Sequence, residues 1–312
     1  MITEEPRLLV LRGGAIGDFM MTLPALQALR TRWPKAHISL FAYPHVRELV
    51  TAAKMVNEFR SLEDSAMSQL FSSNPDFSGD ECRYVQSFDV VLSYLHDPDQ
   101  ILAANMQRLG ARKFIQGSPL VETVHAMDHL LQPLKELAIT VPEARSHLRL
   151  DDALQQQKGR TWLNRNELHA PVLAIHPGSG SPKKNWPGER FIDLYQRACR
   201  RHWNPFFILG EADRAMARTI FDELPDAAIL SGSTLVEAAA VLSVCEAYVG
   251  NDSGITHLAS ALERPMVALF GPTRPELWGP RGPHVTILRH ADEQMASIEV
   301  DEVERALFAS LN

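Results

Sequence analysis

The sequence predicts an α/β protein built from two similar halves, each a parallel sheet flanked by helices. Three observations lead there. The chain has 312 residues, too many for one ordinary core and suited to two domains of about 150 each. From residue 7 onward, short apolar runs ending on glycine alternate with stretches of helical periodicity, the pattern of repeated strand–helix units. That alternation lapses in a polar stretch, 140–170, and resumes at 172. These observations set domains at 1–150 and 151–312 with a cleft between them. Open sheets of this kind bind ligands beyond the carboxyl ends of their strands.

The elements follow in order. Residues 7–11 (RLLVL) read as a buried parallel strand closed by Gly13 and Gly14. A helical pattern spans about 17–33 and is stopped by Pro34. Residues 37–43 form the next strand and 46–53 the next helix. The stretch 61–82 carries Ser-Asn-Pro-Asp and Ser-Gly-Asp clusters and reads as loop plus a short helix, 88–94 as a strand, and 121–138 as a helix broken near Pro133. The polar passage holds one helix near 155–168. The second series has strands at 172–176, 205–209, 227–230, 246–249 and 265–270. Its helices are 189–202, 214–223, 234–243, 255–262 and 299–311. A Gly/Pro-rich loop covers 271–283, where Trp278 either lines a ligand or braces the loop.

Composition excludes several classes. Hydrophobic residues are 45% and charged residues 22%, values normal for a globular protein. No apolar run reaches the roughly 18 residues of a membrane span, and the acidic N-terminus does not read as a secretory signal, so a cytoplasmic location is expected. Residues 1–150 hold 15 Lys+Arg against 17 Asp+Glu, and residues 151–312 hold 16 against 21. With neither half basic, a nucleic-acid partner is not expected. Cys82, Cys199 and Cys245 are odd in number and widely spaced, suiting neither a disulfide framework nor a zinc cage.

Three loops carry chemistry. Arg12-Gly13-Gly14-Ala15-Ile16-Gly17-Asp18 follows the first strand. Its glycines permit close backbone approach and its helix start offers N–H groups to an anion; equally, Asp18 could simply cap the helix. As a dinucleotide fingerprint it is incomplete: Arg12 occupies the first glycine place and the second strand lacks the acidic residue expected at its end. The run from His176 to Pro187 offers small residues, hydroxyls and Lys184, a set suited to a pyrophosphate, although a solvated surface loop fits the same residues. It is not a Walker A loop. Between a strand and a helix, Gly250-Asn251-Asp252-Ser253-Gly254-Ile255-Thr256-His257 places a cap and first-turn N–H groups where a phosphate could bind, with His257 either part of that site or a packed residue.

In order, spacing and context the segments LRGGAIGDFMMTLPALQALR, HPGSGSPKKNWPGERF and VGNDSGITHLASALERPMVALFGPTRPELWGP resemble glycosyltransferase family 9, the ADP-heptose:LPS heptosyltransferase family, over roughly residues 8–280. The resemblance implies the GT-B fold: two Rossmann-like parallel-sheet domains facing a central cleft. The acceptor would bind 1–150 and the nucleotide sugar 151–312, with the last helix a candidate to pack back on the N-terminal domain. It implies an inverting, metal-independent transferase moving heptose from ADP-heptose to a lipopolysaccharide-core or related glycan acceptor. No cofactor is expected beyond the donor. The partners would be the nucleotide-sugar donor and a glycolipid acceptor, with peripheral contact at the cytoplasmic face of the inner membrane.

Carried onto this sequence, Asp18 matches the family's G-D aspartate, the proposed general base, and Lys184 the lysine that contacts the donor phosphates. Gly178 and Ser179 fall where phosphate is held. Asp252, Ser253, Gly254 and His257 match the D-[ST]-G-x-x-H donor loop. Glu211 matches an acidic residue that binds ribose, with Asp213 as its rival. Ile255 replaces a frequent proline, and the central loop is one residue longer than in some members, so Ser179 and Ser181 are interchangeable. Arg12, Gly14 and Gly17 would lie on the acceptor side, where Arg30 and Arg32 also offer charge. Two metal patterns compete: Asp97-Pro98-Asp99 has the D-x-D form, and His125 and His129 are four apart but lack the glutamate of H-E-x-x-H. Both fit turns and helices better. The alternatives to a transferase are a nucleotide-sugar-binding module without catalysis and a dinucleotide-dependent oxidoreductase.

Overall fold

The computed structural model describes residues 4–64, 68–210 and 213–309. The chain divides into two compact units, 1–144 and 145–312. The boundary expected at 150/151 lies six residues beyond this division. The reason is local: Leu148 N–H donates to Ala261 O at 2.7 Å, and Leu148 and Leu150 are buried, which ties that stretch to the second unit.

The first unit holds five parallel strands, β1 (Arg7–Arg12), β2 (His37–Ala42), β3 (Glu58–Ser61), β4 (Val90–Ser93) and β5 (Phe114–Gln116), in the order β3-β2-β1-β4-β5. Leu9 of β1 lies opposite Ser39 on one side and Val91 on the other. Strands covered on both faces read as continuous apolar runs, and every residue of β4 is buried. Leu9, Leu11, Phe41 and Val91 pack on Val85, Phe88, Leu102 and Met106 from the helices Gly79–Gln86 and Ile101–Arg108 and their flanks.

Two departures from the sequence reading have simple causes. The helix expected over 17–33 is two helices, Ile16–Met20 and Leu23–Arg32. Pro24 has no N–H and its ring collides with the carbonyl four residues back, so the helix restarts with Pro24 in its first turn. The helix expected over 121–138 starts only at Ala126, capped by His125, and turns into a 3₁₀ segment at Gln132–Leu137 with Pro133 at its start.

The second unit holds β6 (Val172–His176), β7 (Asn204–Leu209), β8 (Ile229–Ser231), β9 (Ala247–Asn251), β10 (Met266–Leu269) and β11 (Val285–Leu288), all parallel, in the order β11-β10-β9-β6-β7-β8. Successive strands step outward from β6 on one side, then return to pair β9 with β6 on the other. The order therefore reverses between β6 and β9, whose last pair is His176 with Gly250.

The helix Gly188–Arg200 buries Phe191 and Leu194 on this sheet. The last helix, Val300–Ala309, places Val300, Val303 and Leu307 in the same core. Its apolar stripe completes the core over β10 and β11, and Arg197 ties it to the neighbouring helix through Asp301 and, at 3.0 Å, Glu304. Among the described residues no helix is long and apolar enough to cross a membrane.

Candidate functional site

In the second unit the loops after β6 and β9 leave the sheet side by side at its switch point, where a crevice opens because the chain departs in opposite directions. These are two of the three loops the sequence marks. Lys184 Nζ donates to Asp252 Oδ2 at 2.7 Å, joining residues 68 apart in the chain. Asp252 is 8% exposed and Lys184 33%, so the pair is shielded from water on the aspartate side. His257 Nε2 stands 3.8 Å from the other oxygen, Asp252 Oδ1, beyond hydrogen-bond length. Ser253 caps the helix Gly254–Ala261 by accepting from Thr256 N–H at 3.2 Å. The N–H groups of Gly254 and Ile255 belong to a first turn that has no acceptor within an α-helix, and the helix dipole adds positive potential there. The structure thus brings Lys184, Asp252, Ser253, Gly254 and His257 together.

The floor of this site is cross-braced by buried hydrogen bonds. The Asn251 side chain, fully buried, donates through Nδ2 to Pro177 O at 2.7 Å and accepts at Oδ1 from Trp186 N–H at 3.1 Å. Thr256 Oγ1 bonds both Asn251 O and Tyr248 OH. Ser179 Oγ lies 2.7 Å from Ser181 O and 2.6 Å from Asn185 Oδ1 and accepts from Ser181 N–H, so its hydroxyl shapes the loop from within. Gly178 is needed for space: a Cβ there would fall 2.3 Å from Asp213 Oδ1. Asp213 is buried and accepts from Gly210 N–H at 2.7 Å. Beneath them His176 Nδ1–H donates to Ile208 O at 2.8 Å. Burial pushes the His176 imidazole below its usual pKa against the opposing pull of that carbonyl and of Asp213. Glu211, expected to hold ribose, lies outside the described residues. Trp278 is half-buried on the one-turn helix Pro275–Trp278.

In the first unit the loop after β1 lies at the corresponding reversal, between β1 and β4. Gly14 adopts φ of 95°, and a Cβ there would sit 2.8 Å from Asp18 Oδ2, so only glycine fits. Asp18 Oδ2 accepts from Ala15 N–H at 2.9 Å, the capping role. Its second oxygen has no hydrogen bond among the described residues. Gly17 lies within the short helix. Arg12 points inward and is 4% exposed: Nε donates to Thr22 Oγ1 and Nη2 to Asp18 O, both at 2.8 Å. Desolvation lowers its pKa, opposed by the charge of Asp18. Arg30 likewise ties backbone, donating to Ala36 O at 2.7 Å and Asn57 Oδ1 at 2.9 Å, whereas Arg32 lies over the Trp33 ring. Arg12 and Arg30 are therefore struts of the fold.

The two metal-like patterns have other partners. Asp97 accepts from Leu102 N–H and Ala103 N–H at the start of the helix Ile101–Arg108. His125 Nδ1 accepts from Met127 N–H, and His129 Nε2 lies 2.9 Å from Ser118 O. Cys82, Cys199 and Cys245 are free thiols.

Residues 112–307 match glycosyltransferase family 9 (heptosyltransferase). The chain belongs to this family. By family it is a glycosyltransferase, and its two parallel-sheet α/β units are those of the GT-B fold. Lipopolysaccharide heptosyltransferase 2 of Escherichia coli is 26% identical over 306 residues, covering 91% of this chain and 88% of the relative. Lipooligosaccharide heptosyltransferase 2 of Haemophilus influenzae is 27% identical, but there the alignment covers 55% of this chain and about half of the relative, 52%. The solved E. coli ADP-heptose LPS heptosyltransferase II superposes with a TM-score of 0.77 at 19% identity, over 98% of each chain.

Asn251, Trp186, Thr256 and Asp213 as the neighbour of Gly178 are the site residues that sequence reasoning assigned no such role. Asn251 had one signal available: a polar residue ending an otherwise buried central strand needs partners for both ends of its amide.

Proposed function

We propose that this family 9 enzyme transfers a heptose from ADP-heptose to a lipopolysaccharide-core or related glycan acceptor at the cytoplasmic face of the membrane, inverting the anomeric carbon without a metal ion. The observation that carries the reading is the lysine at the switch point, held 2.7 Å from a buried aspartate beside the N-terminus of a capped helix. A diphosphate is the ligand that such a cation and helix start would stabilise. The names of the heptosyltransferase relatives support the sugar, and that of the solved ADP-heptose enzyme supports the donor.

In the proposed reaction an acceptor hydroxyl oxygen bonds to the anomeric carbon as the bond from that carbon to the diphosphate breaks. The hydroxyl proton passes to Asp18, whose unbonded carboxylate oxygen is suited to receive it. Negative charge gathers on the departing diphosphate, where Lys184 and the first-turn N–H groups of Gly254–Ala261 stabilise it by electrostatics fixed in advance. A single displacement inverts the configuration.

Calorimetric titration with ADP, GDP and UDP tests the donor: ADP should bind tightest, and preference for another nucleotide, or binding of none, overturns the assignment. Asp18→Asn should lower transfer by about a hundredfold or more with ADP affinity kept; unchanged turnover removes Asp18 from the role. Transfer should persist in excess EDTA, with the anomeric configuration of the product read by NMR.

A further inference from the structure

We infer that Asn251 is the positioning residue that sets the phosphate-side loop. The inference rests on the donor-site reading above. Strands β6 and β9 are last paired at His176 and Gly250, so from the next residue the sheet no longer holds the chain that leaves β6. The Asn251 amide takes over. One end donates to Pro177 O and the other accepts from Trp186 N–H, the two stems of the excursion that carries Ser179 and Lys184. Both contacts are buried, and one partner is purely an acceptor, the other purely a donor. A neutral amide satisfies both; a carboxylate would face Pro177 O with no proton, and an aliphatic side chain would strand both. Lys184 is two residues before Trp186, and Asp252 directly follows Asn251. The contact at Trp186 therefore fixes the separation over which the Lys184–Asp252 bond forms. Asn251 acts through Lys184 and touches no substrate.

The test compares the native enzyme with Asn251→Leu and Asn251→Asp. Each is checked for folding by circular dichroism, titrated with ADP, and exposed to trypsin, whose cleavage after Lys183 and Lys184 quickens as the loop opens. Asn251→Leu should bind ADP at least about tenfold more weakly and be cut faster in the loop. Asn251→Asp should share the defect at neutral pH and recover as the pH is lowered, because a protonated carboxyl both donates and accepts. Recovery is read as the ratio to native enzyme at each pH, with Asn251→Leu followed in parallel, because Asp252, Lys184, His257, His176 and Asp213 surround the residue and only the aspartate variant should recover. A role confined to fold stability would instead lower the melting temperature while leaving ADP affinity and loop cleavage of the folded variants at the native level. Native-like ADP affinity and loop cleavage in both variants overturns the inference while leaving the donor site standing. Faster loop cleavage in a protein whose native form does not bind ADP overturns the donor-site reading instead, and the positioning role with it.

Discussion

The Lys184–Asp252 contact can be isolated by a double-mutant cycle. Lys184→Met keeps the stem and removes the charge, and Asp252→Asn removes the opposite charge while keeping the shape. Fully exposed pairs couple by about 0.2–1 kcal/mol, and removing one member of a fully buried pair costs about 3–5 kcal/mol. With Asp252 8% exposed and Lys184 33% exposed, the pair lies between these limits, and its 2.7 Å length is that of a charge-assisted hydrogen bond. Solvent reaching the lysine discounts the upper limit, which leaves a coupling of about 1–2 kcal/mol. The single variants should be unequal. Lys184→Met strands a carboxylate that water barely reaches, whereas Asp252→Asn leaves an ammonium that can turn outward, so the first should be the more destabilising. For a unit of this size, a loss of that order lowers the melting temperature by about 2–8 °C. The assay is thermal and urea denaturation of native, both single and the double variant. A coupling below about 0.3 kcal/mol, within the scatter of independent sites, or a larger loss in Asp252→Asn, would refute the reasoning.

Three further outcomes follow from the geometry. Gly178→Ala should weaken ADP binding, because the new methyl meets the Asp213 carboxylate at 2.3–2.5 Å; Asp213→Ala in the same chain should restore part of the affinity, and calorimetry on the pair decides. Arg12→Lys should lower the melting temperature and turnover together, since a lysine cannot reach both Thr22 Oγ1 and Asp18 O as the guanidinium does, and a variant indistinguishable from native in both would contradict the strut. Burial raises the Tyr84 and Tyr195 phenols to about 12 and the Tyr94 and Tyr248 phenols as well. The unfolded chain then loses these protons near pH 10 while the folded chain keeps them. The resulting stability is fully present below about pH 10 and is lost as the pH rises toward about 12. An absorbance titration showing all five tyrosines ionising near pH 10 in the folded protein would overturn this.

The loops at the ends of β1, β6 and β9 were legible because an apolar run closing on glycine marks a strand end, and strand ends are where such sheets open. Much else depended on contacts that no local pattern encodes. Three of the four edge strands, β3, β5 and β11, have three or four residues each, too few for a period to register; the fourth, β8, is as short and was legible at 227–230 from the apolar run that precedes Gly232. Pro24 was a local signal for the helix break, but the apolar spacing across it masked it. Arg12 beside two glycines reads as exposed and reactive, and only the fold turns it inward to Thr22. Asn251 meets partners 65 and 74 residues away, a relation that becomes visible only when β6 and β9 lie side by side.

The last helix reaches the loop of Lys184 by a short mechanical route. Trp186 Nε1–H donates to Ile298 O at 2.8 Å, and the Arg190 guanidinium bonds the same carbonyl, just ahead of the helix that Arg197 clamps. Loosening that last helix would therefore free the indole that anchors the lysine loop. The nucleotide site thus depends on a helix more than a hundred residues further along the chain, through a single shared carbonyl.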